Sequence, residues 1–165
     1  MKLHLKQKVF SFVGRFSIKD DQGSEKYYAE SQILSWGRKY RVYNQYHEEV
    51  IFIQEKIFSF LPKYFIRING VDVARIEKQF TFFKPKYELI AHGWEIDGDW
   101  TGHDYDIKHQ GNLIASIRKE WFTWGDSYYV DINDDQHELM CLAIVIAIDC
   151  VLDAQQANNN AGANG

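Results

Sequence analysis

With 165 residues the chain is long enough to bury one sizeable core, and its 45% hydrophobic and 16% aromatic content, against 25% charged residues, excludes a disordered polypeptide. A formal net charge of −4 disfavours nucleic acid as a partner and leaves only local basic patches to meet anions. Residues 1–8, Met-Lys-Leu-His-Leu-Lys-Gln-Lys, lack the apolar segment and cleavage site of a secretory signal, so the expected location is cytoplasmic, with peripheral contact to a membrane as its extension.

Between residues 2 and 132, short segments rich in Val, Ile, Tyr, Phe and Trp alternate with Gly, Asn and Asp, and the whole chain holds two prolines. This pattern predicts an almost wholly β region of roughly a dozen strands. Hairpin turns are predicted at Asp20-Asp21-Gln22-Gly23, Asn69-Gly70, Asp97-Gly98 and Gln110-Gly111-Asn112, because Gly and Asn accept the positive φ that tight turns require.

An internal repeat runs through this region. Ile53 to Tyr64 lies over Ile76 to Tyr87 so that Pro62-Lys63-Tyr64 falls on Pro85-Lys86-Tyr87, and Ile117 to Tyr128 keeps the rings and the final Tyr. Ser35 to Tyr40 is a fainter copy, and Ile66 to Ile76 matches Ile107 to Ile117 upstream. Each copy reads as strand, turn, strand. The Ala74/Ile76 and Ala115/Ile117 pairs sit two residues apart, which places each pair on one strand face that must meet apolar surface. Repeated hairpins hide their edges by closing into a barrel, and a barrel of about eleven or more strands has room for a helix.

Two chemical readings of the middle of the chain compete with plain turns. The acidic stretch Glu95 to Asp106 carries carboxylates suited to calcium or acid–base work, but it fails the EF-hand spacing, and a solvated hairpin accounts for its Asp and Gly residues. His4, His47, His92, His103, His109 and His137 are dispersed, with no metal-ligand spacing. No nucleophile elbow, phosphate loop or dinucleotide turn is present, so neither an enzyme nor a cofactor is expected.

Near the C-terminus, Leu139 to Ile148 is a run of ten apolar residues with no polar face. A surface helix would show one, so this helix must be covered, and the run is too short to span a bilayer, which needs about 20 apolar residues. The helix is predicted over about 137–155, with Asp135 as N-cap and Glu138 three residues on. Asp149 closes the run and is expected at the barrel mouth or paired with a barrel Arg or Lys, because an unpaired buried charge costs several kcal/mol. Cys141 and Cys150 lie about 13 Å apart along such a helix, beyond disulfide reach, and read as buried thiols. Residues 1–153 form one expected domain, followed by a disordered polar tail over 156–165.

Lys6-Gln7-Lys8, Leu61-Pro62-Lys63-Tyr64, Phe82-Phe83-Lys84-Pro85-Lys86, Gly93 to Asp99, Trp121 to Asp126 and Ala143 to Asp149 together resemble the YxjI and LURP-one-related family of tubby C-terminal-like proteins, with the phospholipid scramblases more distant. The resemblance runs to Asp153 and implies an all-β closed antiparallel barrel of about twelve strands around a central hydrophobic helix. It implies little about molecular role. Tubby proteins bind phosphoinositides and scramblases are associated with lipid movement, but none of their lipid-binding residues, calcium segments or palmitoylated cysteines has a counterpart placed on this chain.

The sharpest functional expectation concerns Lys39, Lys63 and Lys86, which precede Tyr40, Tyr64 and Tyr87 in successive copies and would share one barrel rim. With Arg38 and Lys84 they form a candidate basic rim for anionic phospholipid or phosphoinositide headgroups. The competing explanation is that lysines protect strand edges from aggregation. The alternative function is a protein-interaction scaffold that uses exposed rings among Phe58, Phe60, Phe82, Phe83, Phe122 and Trp124.

Overall fold

The computed structural model describes residues 1–6, 14–34, 37–57, 61–79, 86–120 and 127–162. Twelve strands form one antiparallel sheet: β1 (Lys2–Lys6), β2 (Gly14–Lys19), β3 (Glu25–Leu34), β4 (Gly37–Asn44), β5 (Glu49–Lys56), β6 (Lys63–Ile68), β7 (Val71–Gln79), β8 (Lys86–Ile90), β9 (Trp94–Asp99), β10 (Asp104–His109), β11 (Asn112–Glu120) and β12 (Ser127–Ile132). A 3-10 turn at Asp135–His137 then leads into α1 (Glu138–Gly162).

Consecutive strands pair with each other, except β8 with β9, and β1 pairs with β12, so the sheet curls into a nearly closed barrel. The remaining seam lies between β8 and β9, which no ladder joins. Pairs such as Leu34↔Gly37, Lys56↔Lys63, Gln79↔Lys86, Asp99↔Asp104 and Glu120↔Ser127 mark one rim, here the upper one. Lys19↔Glu25, Ile68↔Val71 and His109↔Asn112 mark the lower rim.

Alternation along the strands sorts side chains to two faces. Ile51 and Ile53, Tyr64 and Ile66, Tyr105 and Ile107, and Val130 and Ile132 are buried in one cluster with Cys141 to Ile148, Cys150 and Val151 of α1. Every residue from Cys141 to Val151 is at most 2% exposed, which accounts for a run with no polar face.

Three expectations differ from the structure. The helix begins after a 3-10 turn, with Asp134 rather than Asp135 as the capping residue, because the Asp134 carboxylate accepts the Gln136 N–H at 3.0 Å. It continues to Gly162 and so takes in most of the expected disordered tail; Ala154 to Gly162 holds no proline to stop it. Asp97-Gly98 is not a hairpin turn. Gly98 lies within β9 at φ +124, where a Cβ would sit 2.6 Å from the Asp104 carbonyl oxygen, so its glycine serves a close backbone approach, and the chain reverses at residues 100–103. Asn69-Gly70 and Gln110-Gly111 do turn the chain, with φ of +48, +79, +51 and +80 in that order.

Candidate functional site

The upper rim is built by strand ends whose charges differ around the barrel. Along the arc β4 to β8 the ends carry Arg38, Lys39, Lys56, Lys63, Lys78 and Lys86. Strand alternation and pairing place Lys39, Lys63 and Lys86 on the outer face of this arc. The three are not electrostatically equal. Lys63 Nζ meets Glu77 at 3.0 Å, and Glu77 also receives Arg75 at 2.7 Å; hydrogen bonds from Arg75 and then Lys63 hold its carboxyl below the usual range. Lys39 and Lys86 make no ion pair among the described residues, and Lys86 is exposed. Lys84 lies outside the described residues, as do all six rings of the scaffold alternative.

The next arc, β9 and β10, is acidic. Its aspartates are engaged with neighbouring side chains and backbone. Asp99 accepts the Thr101 N–H at 3.0 Å and its hydroxyl at 2.6 Å, so it caps the turn, and the hydroxyl bond above all holds its carboxyl low. Arg118 reaches Asp104 at 3.3 Å and Asp106 at 2.7 Å, and Ser116 donates to Asp106 at 2.8 Å. Among the described residues no three His, Cys, Asp or Glu side chains are placed to share a metal ion.

The two arcs meet at the β8–β9 seam. There a cleft of about 440 Å³ is lined by Lys86 and Tyr87 of β8, Gly98, Trp100 and Thr101 of the opposite side, and Val151, Leu152 and Gln155 of α1.

Below the rim the repeat acquires a physical meaning. The strands that descend from it carry inward tyrosines, Tyr64, Tyr87, Tyr105 and Tyr128 at the second residue of β6, β8, β10 and β12, and Tyr40 in β4. The hydroxyls of Tyr40, Tyr64, Tyr87 and Tyr128 have hydrogen-bond partners near α1, whereas the buried Tyr105 hydroxyl has none among the described residues. Tyr64 donates to Glu55 at 3.0 Å, and Glu55 also accepts the Arg38 N–H at 3.1 Å. Burial raises each of these phenols and keeps it neutral; Tyr64 and Tyr128 donate to carboxylates, while Tyr40 accepts from Arg38 and Tyr87 from Gln155.

Among the described residues Asp149 is one of the two most buried polar or charged side chains, 2% exposed. Its partner is neither Arg nor Lys, as expected from sequence, but His103, whose Nε2 lies 2.7 Å from Asp149 Oδ1, while the Tyr128 hydroxyl donates to Oδ2. The His103 ring also stacks on Tyr128 at 4.4 Å. Burial pushes the Asp149 carboxyl up, and the His103 and Tyr128 contacts oppose that rise. His103 sits at φ +52 in the reversal after β9, so the trio ties α1 to that turn and to β12. His103 and Asp149 are each only 2% exposed, so the trio is shielded from solvent. Nothing in the local sequence around His103 marks this role, because 46 residues separate it from Asp149.

Comparison with known proteins fits this architecture. The model of the LURP-one-related family matches residues 1–149. An uncharacterised protein of Bacillus subtilis strain 168, YxjI, is 36% identical over 152 residues, spanning 92% of this chain and 94% of its own. A solved structure of an Arabidopsis thaliana protein superposes with a TM-score of 0.55 at 14% identity, covering 90% of this chain and 89% of that one, a likeness of fold alone. No helix among the described residues is long and apolar enough to cross a membrane.

Proposed function

We infer, from the premise that this chain belongs to the LURP-one-related family and from its charge-sorted rim, that the protein is a non-enzymatic module that binds anionic phospholipid headgroups through the β4–β8 arc. The observation that carries this reading is the gathering of Lys39, Lys63 and Lys86 on the outer face of one rim, with Lys39 and Lys86 unpaired among the described residues. Each lysine near an anionic bilayer contributes about 1 kcal/mol. Two unneutralised lysines and a shared Lys63 therefore give weak attachment that depends on the other cations of the arc and on salt. The acidic β9–β10 arc is repelled by the same surface and fixes the orientation of approach.

In this reading α1 is the central filling of a tubby-like barrel, supported by the burial of Cys141 to Val151, and recognition falls to the rim instead of an interior pocket. A cytoplasmic protein peripheral to the membrane is the corresponding location. Cosedimentation with neutral and anionic vesicles tests the proposal. Binding confined to anionic vesicles and weakened between low and physiological salt is expected, since the screening length shrinks to about 8 Å. Equal pelleting with neutral vesicles would overturn it.

A further inference from the structure

We propose that the β8–β9 seam is an acceptor site for an extended peptide in which apolar and basic residues alternate. The seam is the break in an otherwise continuous ladder, so β8 and β9 each present a backbone edge to it. Unpaired edges are templates for strand addition. The two strands are joined at the lower rim by a tight turn, where the Trp94 N–H donates to the Ala91 carbonyl at 3.2 Å, and the cleft of about 440 Å³ lies at their upper ends. A strand entering from the upper rim would pair with an edge on either hand. Its inward side chains would meet Val151 and Leu152 beneath, with Trp100 beside them.

Charge selects the occupant. From residue 86 to residue 99 one lysine stands against four carboxylates, Glu88, Glu95, Asp97 and Asp99. These point outward, opposite to the inward Tyr87, Leu89, Trp94 and Ile96. Glu88 accepts from Gln79 at 2.7 Å and Asp99 from Thr101, both neutral donors, and Lys108 meets Asp97 at 2.9 Å. An inserted strand with outward Lys or Arg would find carboxylates on both sides. A second copy of this chain offers the wrong charge, because two β9 edges would set carboxylates against carboxylates. This site goes beyond the headgroup reading and uses the backbone edges of the barrel wall, and of the arc's lysines only Lys86 lines its mouth.

The test uses the full chain and a fluorescein-labelled heptapeptide of alternating lysine and valine, followed by fluorescence anisotropy. Binding is expected, weakened about tenfold or more by Glu88→Lys with Glu95→Lys, two exposed substitutions whose fold is checked by thermal melting. Hydrogen exchange should slow at amides of β8 and β9 on binding. A peptide of the same sequence with every backbone nitrogen methylated should not bind, since it can donate to neither edge. Undiminished binding of the methylated peptide, protection confined to other strands, or no binding by the parent protein would each overturn the proposal.

Discussion

His103 and Asp149 meet at 2.7 Å across 46 residues of sequence, and neither is more than 2% exposed. Removing one partner strands the other in an apolar interior, which typically costs about 3–5 kcal/mol, whereas replacing both with apolar groups is far better tolerated. Asp149→Leu and His103→Leu are each expected to lose about that much in urea denaturation, and the double variant to lose clearly less than their sum. Additive losses would show that the pair is not coupled.

Asp153 lies one helical turn beyond Asp149, and burial, assisted by the Asp149 charge and opposed by Arg38, pushes its carboxyl up to about 6 from 3.8. Between those values the folded protein holds a proton that the unfolded chain has released, so this group's contribution to stability is greatest below the window and declines as pH rises through it. Asp153→Asn removes the decline. Because the side chain is only partly buried, the variant should gain about 1 kcal/mol over the parent at pH 7 and little at pH 4, read from melting curves at both. A difference that does not grow with pH would contradict this.

Glycine positions separate close approach from turn strain. At Gly98 a Cβ would sit 2.6 Å from Asp104 O and 2.8 Å from Tyr105 Cα, while at Gly111, φ +80, it would meet nothing within 4 Å. Gly111→Ala should therefore cost only the left-handed backbone, about 1–2 kcal/mol. Gly98→Ala adds a steric clash and should cost more, about 3 kcal/mol or above by urea denaturation. The reverse order would place the β9–β10 backbones further apart than described.

Burial pushes the Cys141 thiol up to about 12 and raises Cys150 well above the ordinary thiol range. Thiolate is the reactive form, so neither cysteine should react with an aromatic disulfide reagent at pH 8 until the protein unfolds, and both should react in denaturant. Rapid labelling of the native protein would show that α1 leaves its covered position.

Much of the architecture was legible because it follows local rules. The unbroken apolar run from Leu139 to Ile148 demanded a covered helix, and the repeat's terminal tyrosines are the inward residues Tyr40, Tyr64, Tyr87 and Tyr128 of alternate strands. Asp97-Gly98 misled because a glycine needed for close strand approach has the same letters as one needed for a turn. The partner of Asp149 was invisible because a solitary histidine after Gly102 carries no periodic signal, and only the β9–β10 reversal brings it to the helix. The neutralisation of Lys63 was likewise hidden, since Glu77 is its cross-strand neighbour and not its neighbour in sequence.

The most direct test of the anionic-surface reading compares the parent with two charge reversals in vesicle cosedimentation. Lys39→Glu combined with Lys86→Glu should abolish pelleting with anionic vesicles, while Lys63→Glu, at a lysine already held by Glu77 at 3.0 Å, should weaken it less. Undiminished pelleting of the double variant would contradict a headgroup site on this rim.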